Sequence, residues 1–86
     1  MTIVHRLVGY DRGTERVAFE QDIPPELFDT AKKIAGVPAS DPNAAYGYEL
    51  TAMQARDLAG TLGAAISPNE MDFFLESFDL GWRQRA

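Results

Sequence analysis

Ile23-Pro24-Pro25 is the triplet that most limits what this chain can become. A residue that precedes proline is pushed out of the helical region, so Ile23 and Pro24 are extended, while the fixed φ of Pro25 suits a first helical position. An extended N-terminal part must therefore end here, and a helix can begin.

The part before the triplet reads as a β-hairpin. Thr2 to Tyr10 is rich in β-branched and apolar residues, and Glu15 to Gln21 places Val17 and Phe19 on one face with Arg16, Ala18 and Glu20 on the other. Between them Asp11, Arg12, Gly13 and Thr14 supply turn chemistry: Gly13 tolerates positive φ, and Asp11 can bond its own backbone. After the triplet, a helix is predicted from Pro25 to about Ala35, with Leu27, Phe28, Ala31, Ile34 and Ala35 as its apolar stripe. Glu26 and Asp29 near its start and Lys32 and Lys33 near its end suit the macrodipole, and Gly36 is the expected stop. Ile23 and Phe28 are spaced as a hydrophobic staple.

Val37 to Gly47 has neither a helical nor a strand period and reads as the longest loop. Tyr48 to Leu50 is a short extended segment leading into Thr51-Ala52-Met53-Gln54, a capping-box pattern for a second helix with Ala55, Leu58, Ala59 and Leu62 buried and Gly63 as its end. Gly60 inside it suggests close packing or a soft turn, since glycine there costs about 1 kcal/mol relative to alanine.

The last segment fits two descriptions. Ser67-Pro68-Asn69-Glu70 resembles a further capping box, and Met71, Phe74, Leu75, Phe78 and Trp82 then share one helical face. In a strand, Met71, Phe73 and Leu75 would share the buried face instead. The helix is slightly favoured, although it would point Phe73 away from the core. The fold class expected is α+β, with an N-terminal hairpin, two short helices and a C-terminal helix or strand packed on the sheet, all within one small domain spanning residues 1–86.

Composition narrows function by exclusion. The chain has no cysteine and one histidine, His5, so thiol nucleophiles, thiolate metal sites and disulfides are ruled out and any histidine chemistry passes through His5. His5 lies in the first strand with no nucleophile marked for it, which favours a structural role. There are 13 acidic and 8 basic side chains, and residues 20–79 hold 11 acids against 3 bases while Arg6, Arg12, Arg16, Arg83 and Arg85 flank them. An acidic body repels phosphate backbones and attracts basic proteins, so nucleic acid is disfavoured as a partner. No apolar run approaches the roughly 18 residues of a membrane span, and no secretory signal is present, so a cytoplasmic protein that does not engage membranes is expected.

The candidate binding residues are Tyr46, Tyr48, Glu49, Asp72 and Glu76. Tyr46-Gly47-Tyr48 sets two aromatics around a flexible glycine, a composition enriched at interfaces. Asp72, Glu76 and Asp79 would form an acidic ridge on a helix, where like charges destabilise by about 0.2 to 0.5 kcal/mol per pair unless a basic partner compensates. Asp41, Asn43 and Glu49 resemble part of a calcium loop, but Tyr46 stands where that loop needs glycine and Ala52 where it needs a bidentate glutamate. No catalytic residue, metal site or cofactor is expected.

Val8-Gly9-Tyr10-Asp11, Phe19-Glu20 followed by Ile23-Pro24, Tyr48-Glu49-Leu50-Thr51 with Gln54-Ala55, and Phe73-Phe74-Leu75-Glu76 together resemble a group of small acidic bacterial domains of unknown function. The resemblance implies a bacterial α+β domain with no assigned activity. Immunity proteins that neutralise toxins are an analogy for small acidic proteins of this kind. The reading expected is a non-enzymatic interaction domain that binds a basic protein in the manner of an immunity protein or antitoxin. The alternatives are a small carboxylate- or metal-dependent hydrolase and a self-associating structural protein that forms a homodimer.

Overall fold

The computed structural model describes residues 3–67 and 69–79. Strands β1 (Ile3–Asp11), β2 (Val17–Ile23), β3 (Tyr48–Leu50) and β4 (Met71–Asp79) form one antiparallel sheet in the order β2-β1-β4-β3. Helices α1 (Phe28–Ala35) and α2 (Ala52–Leu62) pack on one face of it, so the fold is α+β with an N-terminal hairpin.

The register explains the layering. Leu7 stands opposite Leu75, and Gly9 opposite Phe73, on the face that the helices cover. There Leu7, Leu75, Phe73, Ala31, Ala55 and Leu58 are all at most 2% exposed. Both helices turn alanines inward, which lets their backbones approach the sheet closely. Gly9 serves a related purpose, since a Cβ there would lie 2.8 Å from Phe73 Cε1 and 3.0 Å from the Met71 sulfur. Phe73 lies across this gap and meets Phe19 edge-on, with centroids 6.0 Å apart.

Local signals around the helices are realised. Pro25–Leu27 form a 3₁₀ turn that leads into α1, and Gly36 ends that helix at φ 72°. Thr51 accepts from the Gln54 backbone N–H while the Gln54 side chain accepts from Thr51 N–H at 2.8 Å, completing the capping box. The same glutamine donates to the Ile34 carbonyl at 3.1 Å, so one side chain caps the start of α2 and the end of α1.

Several expectations are corrected. The last segment is a strand, not a helix, and of the residues read as its capping box Glu70 N–H donates to the Ser67 carbonyl, with Pro68 outside the described residues. Pairing with β1 along the whole length of β4 outweighs the helical stripe, which arose because Phe74 and Phe78 are apolar although they face away from the core. Trp82, Arg83 and Arg85 lie outside the described residues. In the hairpin, β2 carries one extra residue opposite Gly9 and Tyr10, and this bulge puts Val17 at 48% exposure while Phe19 packs on the core. Positive φ falls on Glu15, at 61°, and not on Gly13. Gly60 has no atom within 4 Å of the position its Cβ would take, so close packing does not explain it.

Candidate functional site

The second face of the sheet carries no helix among the described residues. Alternation along β1 and β4 places Val4, Arg6, Val8 and Tyr10 beside Phe78, Glu76, Phe74 and Asp72 in register, with Glu20 and Asp22 on the β2 side and Glu49 on the β3 side. Val8 is 1% exposed although it lies outside the core cluster beneath the helices. Its neighbours in register are Phe74 and Glu20, with Arg6 and Tyr10 before and after it on its own face.

These neighbours are tied together by their polar ends. Arg6 donates to Asp22 at 2.7 Å and reaches Glu20 at 3.4 Å, with its guanidinium 4.9 Å from the centre of the Phe78 ring. Arg12 donates to Asp72 and to the Asn69 carbonyl, both at 3.0 Å. Tyr10 donates its hydroxyl to Glu76 at 2.5 Å and meets Phe74 edge-on, with centroids 5.5 Å apart. The hydrogen bond to Glu76, helped by partial burial, pushes the Tyr10 pKa up to about 12.

A groove of about 450 Å³ opens on this face, with Phe74 in its lining. The hairpin turn contributes Asp11 and Glu15, β1 contributes Tyr10, β4 contributes Asp72 and Glu76, and Gly47 lines it from the loop ahead of β3. The turn is built by Asp11, whose Oδ1 accepts from Gly13 N–H at 2.8 Å and Thr14 N–H at 2.9 Å. Those bonds, chiefly from Thr14, hold its carboxyl below the usual aspartate range.

Of the residues expected at a binding surface, Asp72, Glu76 and Glu49 share this open face around Phe74. Asp72 and Glu76 are four apart, so they share a face in a strand as they would on a helix, whereas the side chain of Asp79 lies outside what the structure describes. Tyr46 is 73% exposed and precedes Gly47. Tyr48 faces the helix-covered side and donates to Asp41 Oδ2 at 2.5 Å.

Asp41 is the centre of the long loop. It is 8% exposed and also accepts from the backbone N–H of Ala45 at 3.0 Å and Tyr46 at 3.4 Å. The Tyr48 hydroxyl first, then Ala45 N–H, lower its pKa, while the Tyr48 phenol is pushed up to about 12. His5 stacks on Phe28 at 4.0 Å and bonds through Nε2 to the Asn43 carbonyl at 2.7 Å, Lys32 donates to the Pro42 carbonyl, and Ser77 donates to that of Ala45. His5, Asp41 and Tyr48 thus fasten the loop to the sheet and to α1. Among the described residues no group of three or more histidines and carboxylates is placed to hold a metal ion, and no helix is long and apolar enough to cross a membrane.

Tyr10, Phe74, Gly47, Asp11 and Glu15 belong to the groove although none was among the binding residues expected from sequence. The available signal was the alternation Asp72, Phe74, Glu76, Phe78, which sorts Phe74 onto one strand face with Asp72 and Glu76 once the segment is taken as extended.

The chain belongs to a family described as Domain of unknown function (DUF7683), whose model matches residues 5–76 and so takes in most of β1 and β4 with everything between them. No curated protein and no solved structure matches it.

Proposed function

We propose that this domain is a non-enzymatic binding module whose open sheet face docks a basic protein, as an immunity protein or antitoxin would. The observation that supports it is the composition of that face: Glu20, Asp22, Glu49, Asp72 and Glu76 surround Phe74 and Phe78, with Arg6 and Arg12 among them. An acidic rim around an apolar centre attracts a cationic surface from a distance and offers contact area after encounter. The nearby carboxylates already have partners within the chain, Asp72 in Arg12, Glu76 in Tyr10 and Asp41 in Tyr48, which favours binding over proton transfer. A cytoplasmic setting in a bacterium accompanies this reading, supported by the lack of cysteine.

The test is capture of partners from native lysate, followed by association and dissociation rates at two salt concentrations. Charge reversal of Asp72 and Glu76 to lysine slows association and flattens its salt dependence, with thermal stability little changed. Recovery of no partner, or a captured partner whose rates are the same for the reversed variant, overturns the proposal.

A further inference from the structure

We infer that the groove over Phe74 is an anchor pocket for an arginine side chain presented by a partner protein. The inference rests on the reading of the open face as a docking surface and assigns the chemistry of its centre. The face already binds guanidinium groups of its own. Arg6 lies over Phe78 between Glu20 and Asp22, and Arg12 forks between the Asp72 carboxylate and the Asn69 carbonyl. Each uses what a planar fork of donors requires, namely carboxylate or carbonyl oxygens and, for Arg6, an aromatic ring.

Phe74, like Phe78, is an aromatic ring set among carboxylates on this face. Glu49 stands directly across from it on β3, and Asp72 and Glu76 flank it along β4, yet among the described residues no cation lies over its ring. Tyr10 and Glu76 are fixed in place by their mutual hydrogen bond, so Glu76 keeps one oxygen free of that bond while its position is held. Gly47 lines the groove without a side chain, and a Cβ there would stand 4.0 Å from Glu76 Cγ, at ordinary contact distance, so a large side chain at this position would project into the groove. A ring, negative charge on either side and about 450 Å³ of room select a flat cation on a long stem.

Short peptides carrying one arginine between glycines, and the same peptides with lysine or citrulline, serve as probes in a titration of the isotope-labelled full chain followed by amide chemical shifts. The arginine peptide moves Tyr10, Gly47, Phe74 and Glu76, binds about threefold more tightly than the lysine peptide, and the citrulline peptide does not bind. Gly47→Phe fills the groove without changing charge and abolishes these shifts. Phe74→Leu keeps apolar cover over Val8 but removes the ring, and equalises arginine and lysine. If both variants bind the arginine peptide as the parent does, while Asp72→Lys with Glu76→Lys weakens it, the pocket is refuted and the acidic docking face stands. If the peptides move no residue of the open face in any variant, the pocket and the docking face both fall.

Discussion

The two faces of the sheet bury their centres equally and by opposite means. Leu7 at 0% exposure lies under helices, whereas its chain neighbour Val8, at 1%, lies on the face that no described helix covers. On the covered side apolar surface meets apolar surface. On the open side Val8 is hemmed in by the stems and rings of Arg6, Tyr10 and Phe74, whose polar ends bind one another and their neighbours above it. Long amphipathic side chains can shield a hydrophobic centre while presenting charge to solvent. The consequence is a division of labour: the covered face holds the fold, and the open face can change its charges with little effect on stability.

The sharpest way to break that contrast is a pair of truncations. Leu75→Ala leaves a cavity beneath the helices and should lower stability by about 2 to 5 kcal/mol, a large part of what a domain this size has. Val8→Ala removes less apolar surface, beneath amphipathic side chains instead of helices, and should cost about 1 to 2 kcal/mol. Urea unfolding of both variants decides it, and equal losses would mean that the open face is packed as rigidly as the core. Gly9→Ala comes next. Its methyl would meet Phe73 and Met71, and overpacking of that kind costs about 1 to 3 kcal/mol in the same measurement.

The two tyrosine–carboxylate pairs, one on each face, permit a finer comparison by pH. Both phenols are raised from 10.0 to about 12, so the stability each contributes is complete below the ordinary phenol value and is lost as the pH rises through about 12. Asp41 runs the other way: its pKa is lowered, so its contribution is complete above the usual aspartate value of 3.8 and is lost as the pH falls through the lowered one. Phenolate absorbance should show two late-titrating tyrosines in the parent and one in Tyr10→Phe or Tyr48→Phe. Acid unfolding should begin at higher pH in the parent than in Asp41→Asn relative to each protein's neutral stability. A parent whose tyrosines all titrate near 10 would remove both hydrogen bonds from the account. The smallest effect belongs to the surface. Asp72→Asn breaks the Arg12 ion pair, in which both partners are about half exposed, and should change the melting temperature by at most a few degrees.

The sequence discloses its structure where the signal is local. The hairpin turn follows from Asp11, the first helix from Pro25 and Gly36, and the second from Thr51 and Gln54, each a bond or dihedral settled within a few residues. It misled at β4, because cover for Val8 requires aromatic residues on the open side, and Phe74 and Phe78 beside Leu75 then imitate a helical stripe. The groove was only partly legible. Asp72 and Glu76 share a face under either periodicity, but bringing the hairpin turn and Gly47 to their flanks depends on pairings between distant segments. Tyr48 could not be sorted onto a face by pattern, since a strand of three residues is too short to display one.

The strand order has a consequence for how the protein is made. The two central strands are the first and the last of the four, and Leu7 must find Leu75 before the sheet has a middle. Closing a chain loop ten times longer costs only about 2 kcal/mol more, so the equilibrium barely registers this separation. The clock does. At about 5 to 20 residues per second, the roughly 47 residues between β2 and β4 take about 2 to 9 s to synthesise. Through that interval the β1–β2 hairpin has no β4 beside it, and the inner edge of β1 is unpaired. Such a hairpin is a template for foreign strands, and the arrival of β4 withdraws it.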